Sequence, residues 1–376
     1  MKRAAVIFIL IFCLTLGGCF SYKGLDRLTI VMGIALDYDE ENERYLATLE
    51  VADTAKSSKE EGIKSALIEC DGVSITDAFF NATRKVKSAL YFGSCEVLII
   101  CQKIAERGLK TIMDTFMRTK ELRETAFPLV SKEEMAADIF KKAQGLSSAI
   151  ISSDIQQIME QGSMFSGAIR KVKMYQIYID ILAQNKCLSL PAIGLAENDQ
   201  EKVVEADGTA VFCHDKLINW MSSDETVFFL LSINEYRGGT ITYDRDGDPS
   251  TDYAIFVNKA SSKTTLKMEG DEPSFGIDIK LRGVLDEAEK SGEQISFDEM
   301  KQIEQEYAEM IKGKTDRLIE KLQKEFRCDI SGFGRLISKV NPKYWEKIKD
   351  TWLDIYPNVK IDVNVSVKIT SVNITR

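Results

Sequence analysis

A chain of 376 residues with 44% hydrophobic and 28% charged side chains carries enough apolar surface to bury more than one core and enough charge to stay dissolved, which excludes a disordered or fibrous protein. Its formal charge is −9, and losing the first 18 residues, which hold Lys2 and Arg3 and no acid, takes it to −11. An acidic chain is a poor nucleic-acid binder, because affinity for phosphates rests on Lys and Arg that displace counterions.

The first predicted element is a leader. Lys2 and Arg3 precede an apolar run over residues 4–16, which leads into Leu16-Gly17-Gly18-Cys19. A positive end, an apolar segment too short to remain as a span and small residues before the cut together define a secretory signal. Leucine three residues before a cysteine, with two glycines between, is the pattern for attaching diacylglycerol to a bacterial cysteine thiol. Residues 1–18 are therefore predicted to be removed, leaving Cys19 as the lipidated first residue. No later stretch reaches the roughly 18 uninterrupted apolar residues of a membrane span. The mature chain is expected on the outer face of a membrane, held by its lipid.

Residues 28–38 and 45–52 are β-branched and apolar around the acidic stretch 39–43, a hairpin signal. A strand over 64–70 precedes Gly72, and Ser74 caps a predicted helix running to about residue 89. Strands near 97–101 and 125–130 then alternate with helices over 104–117 and from Ser131, where Ser131 and Glu134 read as a capping box. Amphipathic stretches at 153–161 and 173–184 close an N-terminal α/β region, 19–197. The C-terminal α+β region, 198–376, opens with a hairpin of 203–212 and 217–221 turning at His214-Asp215. Strands at 253–257, 264–268 and 275–284 follow, then one long helix, 297–326, started by a capping box of Ser296 and Glu299. Gly313 weakens that helix by roughly 1 kcal/mol against alanine, so a bend is expected there. Residues 359–370 alternate apolar and polar without a break, the pattern of a strand with one buried and one wet face. The fold class is mixed α/β, or α+β: several mixed sheets, each packed with helices.

Catalytic and metal-binding residues are not expected. The chain has one histidine, His214, in a predicted turn, whereas a nucleophilic relay needs a histidine beside its nucleophile and a zinc site usually needs several ligands of this kind. Of eight cysteines, Cys13 is discarded and Cys19 lipidated; Cys70, Cys95, Cys101, Cys187, Cys213 and Cys328 are scattered through apolar segments and read as buried free thiols, with a disulfide from Cys70 as the alternative. The acidic strings 39–43 and 197–201 lack the calcium-loop pattern. Asp244 and Asp246 sit among turn residues, and Gly332-Phe333-Gly334 has no third glycine of a dinucleotide loop. No cofactor is implied.

Several strings resemble the Ger(x)C family, the lipoprotein C subunits of spore germinant receptors, over nearly the whole mature chain. After Cys19, Ile30-Val31-Met32-Gly33-Ile34-Ala35-Leu36-Asp37 is close to the family's first strand. Tyr91-Phe92-Gly93, Gly108-Leu109, Gly208-Thr209-Ala210-Val211-Phe212 with Asp215-Lys216-Leu217, Glu225 and Gly238-Gly239 follow in the family order. The tail is the most specific part: Asp329-Ile330-Ser331-Gly332-Phe333-Gly334, then Pro342-Lys343-Tyr344-Trp345 and Trp352. The family's tryptophan after the lipid cysteine is Phe20 here.

The resemblance implies three α/β subdomains and a non-enzymatic lipoprotein on the outer face of a spore's inner membrane. It also implies assembly with two integral-membrane subunits, A-type and B-type, in nutrient-triggered germination. Phe20, Tyr22 and Leu25, close to the anchor, are candidate partner contacts; Trp345 and Trp352 are either partner contacts or core. A solute-binding lipoprotein of a transport system is the alternative, and it would show two βαβ lobes crossing at a hinge.

Overall fold

The computed structural model describes residues 28–372 except 59–61, 120–121, 146–148, 183–186, 200, 244–252 and 289–294. The leader, Cys19, Phe20, Tyr22, Leu25, Asp244 and Asp246 lie outside the described residues. None of the described helices is long and apolar enough to cross a membrane.

The apolar run after Leu28 becomes β1 (Leu28–Asp39), which turns through the acidic stretch into β2 (Arg44–Ser58) and then β3 (Gly62–Gly72). Asp39 closes the first turn by accepting from the amides of Glu41 and Asn42 and from Asn42 Nδ2, so the acidic string is a self-capped turn. Helix α1 (Ile75–Thr83) starts at the Ser74 cap but stops earlier than its sequence period suggests. The chain after it is drawn into β4 (Ala89–Tyr91), which pairs in parallel with Leu28, Thr29 and Ile30. β5 (Val97–Ile100) lies fully buried beside β1.

The single helix expected over 104–117 is two, α2 (Gln102–Arg107) and α3 (Lys110–Thr119), broken at Gly108 with φ +124°. Asp215 holds the break: its carbonyl accepts from Leu109 N and its carboxylate from Lys110 N. After β6 (Phe127–Ser131) the expected Ser131–Glu134 capping box does not form. Ser131 Oγ instead accepts from Glu133 N, and Glu133 turns to the amide of Leu195 across the sheet. The next helix, α4 (Ala137–Lys142), starts later and is capped from a distance by Asp37 of β1. Helix α5 (Ile151–Gln157) runs into a π-helical stretch, Ile158–Gly162, and α6 (Met174–Leu182) follows.

β7 (Cys187–Asn198) and β8 (Glu201–Cys213) form a long hairpin, and β9 (Lys216–Met221) pairs back on β8 after the turn at His214. All these strands belong to one sheet, ordered β3-β2-β1-β5-β6-β7-β8-β9, with β4 paired on β1. The β6–β7 junction is narrow, with only Val130↔Ala192 and Ser131↔Ile193 in register. Two of the three implied sheet units are thus fused through a thin seam. The 197/198 division falls inside β7, where Glu197 pairs with Lys202 and Asn198 with Glu201, and the sheet runs through it unbroken.

Helix α7 (Ser223–Ser232), absent from the sequence reading, opens on a capping box of Ser222 and Glu225. A second sheet has the order β10 (Gly239–Tyr243), β11 (Tyr253–Glu269), β12 (Glu272–Ala288), β13 (Lys360–Val372). The two strands expected at 253–257 and 264–268 are one 17-residue strand. Helix α8 (Phe297–Lys324) packs across β13 and buries Ile303, Tyr307, Ile311, Leu318 and Leu322. It passes Gly313 without a break, because packing of this stripe outweighs the local glycine cost. Helices α9 (Phe333–Val340) and α10 (Pro342–Ile348) lead to β13, which runs parallel to β12. Ile361, Val363, Val365, Val367 and Ile369 point inward and their neighbours outward, as the alternation requires.

Two apolar clusters fill the molecule: one built from residues between Val31 and Leu217, the other from residues between Val211 and Ile369. They meet at the β8 end and β9. One broad sheet with a smaller one beside it is not the pair of hinged βαβ lobes that solute capture by closure would need.

Candidate functional site

The matched strings resolve into structural joints. Gly33 in β1 lies so close to α5 that an added Cβ would stand 2.0 Å from Ser152 Oγ. In the same strand Asp37 is buried and accepts from Ala136 N at 2.6 Å and Ala137 N at 3.0 Å. Burial pushes its carboxyl upward against these two amides. Glu50, one strand away and equally buried, accepts from Ile151 N and Ser152 N and from the Ser152 hydroxyl. Two carboxylates of the central sheet therefore anchor the first turns of α4 and α5. Gly108-Leu109 and Asp215-Lys216-Leu217, far apart in sequence, dock on one another through the Asp215 bonds described above.

The tail string has the same character. Asp329 accepts from Gly332 N at 2.8 Å, Phe333 N at 3.0 Å and Gly334 N at 2.7 Å, and from Trp352 Nε1 at 2.9 Å. The glycine-bearing turn does form a nest of amides, but the chain's own carboxylate fills it, which explains why it is no phosphate cradle. Burial pushes the Asp329 carboxyl up to about 6 despite the four donors. Trp352 is 2% exposed and belongs to the core, and half-buried Trp345 packs edge-on against it at 6.0 Å.

Two concavities of about 660 and 470 Å³ flank α8. Their walls carry charge of both signs, Lys312, Asp316 and Glu320 in the first and Asp224, Lys314 and Arg317 in the second. In the acidic string 197–201, Glu197 and Asn198 end β7, Glu201 starts β8, and Asp199 sits at φ +55°.

One constellation escaped the sequence reading. The sulfur atoms of Cys187, Cys213 and Cys328 all lie within 4.8 Å of one another. Cys187 opens β7 and faces Cys213, which ends β8; Cys328 arrives from the loop after α8 and donates to the Phe212 carbonyl at 3.1 Å. Nδ1 of His214, the chain's one histidine, stands 3.5 Å from Cys213 Sγ. Contact with the sulfurs of Cys187 and Cys328 pulls the Cys213 thiol down, contact with Cys213 pushes Cys187 up, and burial pushes Cys328 up. No sequence signal pairs them: the β7–β8 turn sets Asn198 opposite Glu201, and only the register shift between Pro191 and Ile193 brings Cys187 opposite Cys213. Cys70, Cys95 and Cys101 are buried free thiols, as expected.

Comparison with known proteins matches the chain in two consecutive segments. The family model described as spore germination protein N-terminal domain matches residues 21–195, and that described as spore germination B3/GerAC like, C-terminal, matches 207–373. Spore germination protein KC of Bacillus subtilis (strain 168) is 25% identical over 98% of this chain and 95% of its own length. Spore germination protein B3 of the same organism is 23% identical over 98% of both chains, and spore germination protein GerQC of Bacillus cereus 24% identical over 100% of both. The crystal structure of the GerBC protein has the same fold, with a TM-score of 0.60 at 18% identity, covering 93% of this chain and 100% of that one. With both family models matched in order and together spanning most of its length, the chain belongs to the Ger(x)C, or GerAC-like, family of spore germination proteins.

Proposed function

We propose that this chain is a membrane-anchored lipoprotein subunit of a nutrient germinant receptor, tethered through Cys19 to the outer face of a spore's inner membrane and assembled there with two integral-membrane subunits, A-type and B-type. The observation that carries the reading is the in-order match of both family models, together with the Leu16-Gly17-Gly18-Cys19 signal ahead of them. The names of the relatives, all spore germination proteins, support it. The role is assembly rather than chemistry: a fold held by buried carboxylates and close-packed glycines suits a subunit whose output is a surface.

The tether supplies much of the work. Two acyl chains on one cysteine hold firmly where a single chain is marginal. Confinement to the membrane raises the concentration seen by the partners, so modest contacts suffice for assembly. Nine residues separate Cys19 from Leu28, a reach of at most about 32 Å, so the start of β1 stays close to the membrane. Beside the start of that strand Tyr91 of β4 is exposed, and so is Phe80 of α1, whose neighbour Phe79 packs against Phe92 at 4.9 Å. With Phe20, Tyr22 and Leu25 they form the partner face of this reading.

Metabolic labelling with palmitate and detergent phase partition of the wild-type chain and Cys19→Ala test the anchor. The wild type should carry label and enter the detergent phase, and the variant should do neither. A wild-type chain that stays aqueous and unlabelled would contradict the reading.

A further inference from the structure

The cysteine cluster is not explained by packing. Six cysteines lie among the described residues, and three of them converge from β7, β8 and the loop after α8, although 115 residues separate Cys213 from Cys328. Cys187 and Cys213 are only half-buried, which is unusual for thiols that serve merely as small hydrophobes. Mutual approach within 4.8 Å brings the sulfurs near the roughly 3.8 Å separation of ligands that share one tetrahedral cation, each about 2.3 Å from it. A disulfide would join two of the three sulfurs and leave the third without a role.

A second observation points to the same place. Tyr356 is fully buried, its hydroxyl has no hydrogen-bond partner, and its ring packs at 5.9 Å on Trp352, whose indole binds Asp329 next to Cys328. A thiol is a weak acceptor, whereas a metal-bound thiolate is a good one, and outer hydrogen bonds to such sulfurs are a regular part of thiolate sites. His214 stands on the solvent side of Cys213, so the open fourth position faces an imidazole and water.

We propose that Cys187, Cys213 and Cys328 form a three-thiolate site for a zinc-class divalent cation, with the fourth position open towards His214. On binding, three S–H bonds give way to three metal–sulfur bonds, and the protons leave to solvent. The ion ties the two matched halves of the chain together, since Cys187 lies in the first and Cys213 and Cys328 in the second. It is a staple at the meeting of the two cores, independent of whether the chain acts in germination.

The full-length lipoprotein, purified in detergent under reducing conditions without a histidine tag, would be assayed for bound metal by elemental analysis, and for Co²⁺ binding by its thiolate charge-transfer band. The wild type should hold about one zinc equivalent per chain and give the cobalt band. Cys187→Ser and Cys213→Ser should lose both, while Cys70→Ser, outside the cluster, should keep both. Because a serine variant can fail through folding, the wild type itself is also tested by thiol titration: zinc should shield about three thiols from a thiol reagent until a chelator is added. A reduced, folded wild type with neither zinc nor cobalt band would overturn the proposal. So would two thiols that become titratable only after reduction, the sign of a Cys187–Cys213 disulfide.

Discussion

The indole Nε1 of Trp352 donates to the Asp329 carboxylate at 2.9 Å, and three consecutive backbone amides, from Gly332 to Gly334, close on the same group. Gly334 leaves room for this: an added Cβ there would stand 2.7 Å from Trp352 Nε1. The most specific string of the tail is thus a lock between the start of α9 and the chain that leads to β13. Asp329→Asn puts an amide NH₂ where the site offers only donors, and it should cost about 2–3 kcal/mol in urea unfolding at pH 4. A loss below about 0.5 kcal/mol would show that the lock is not needed.

The same carboxylate predicts a pH dependence. Its folded value, about 6, lies above the ordinary 3.8, so its contribution is fully present below about 3.8 and is lost as pH rises through 6. The stability difference between wild type and Asp329→Asn should therefore narrow from pH 4 to pH 6 and be flat above pH 7, by up to about 3 kcal/mol at 1.36 kcal/mol per unit. Paired unfolding curves at pH 4, 5, 6 and 7 measure this directly. A difference that widened with rising pH would mean that the four donors outweigh burial.

Glu50 reaches from β2 to the first turn of α5 and accepts from two amides there. Glu50→Leu would leave those amides buried without partners, at a cost of about 2–4 kcal/mol. Hydrogen exchange should show early opening of α5 in this variant, before the second sheet is affected. Uniform loss of protection across both sheets would contradict the local role.

Gly208 has φ +80°, and a Cβ there would lie 2.1 Å from the Met221 carbonyl. Strain and clash add, so Gly208→Ala should lower stability by about 3 kcal/mol or more. Phe80→Ser on the exposed surface should change stability by no more than about 0.5 kcal/mol. In the proposed receptor it should nevertheless weaken co-purification with the membrane subunits; unchanged recovery would remove that face from the partner surface.

Strands and the long helix were legible wherever one face meets core and the other water, because alternation in 359–370 and the 3.6-residue stripe of α8 record that contact directly. Joints between distant segments were not. Helix α4 is capped by Asp37, about a hundred residues earlier, so the local Ser131–Glu134 pattern pointed to the wrong start. The expected helix over 104–117 ran straight through Gly108, because the partner that holds the break, Asp215, belongs to another hairpin. The cysteine cluster was hidden for the same reason: two of its members are paired only through a register shift in their hairpin, and Cys328 comes from the loop after α8.

The measurement that tests the receptor reading most directly is nutrient-triggered germination, followed as loss of spore refractility and dipicolinate release, in spores carrying the normal gene, a deletion or Cys19→Ala. A membrane-tethered receptor subunit predicts loss of the response to particular nutrients in the deletion, a partial or full loss in Cys19→Ala, and restoration by the normal gene. Normal germination of the deletion strain across a broad nutrient panel would contradict it.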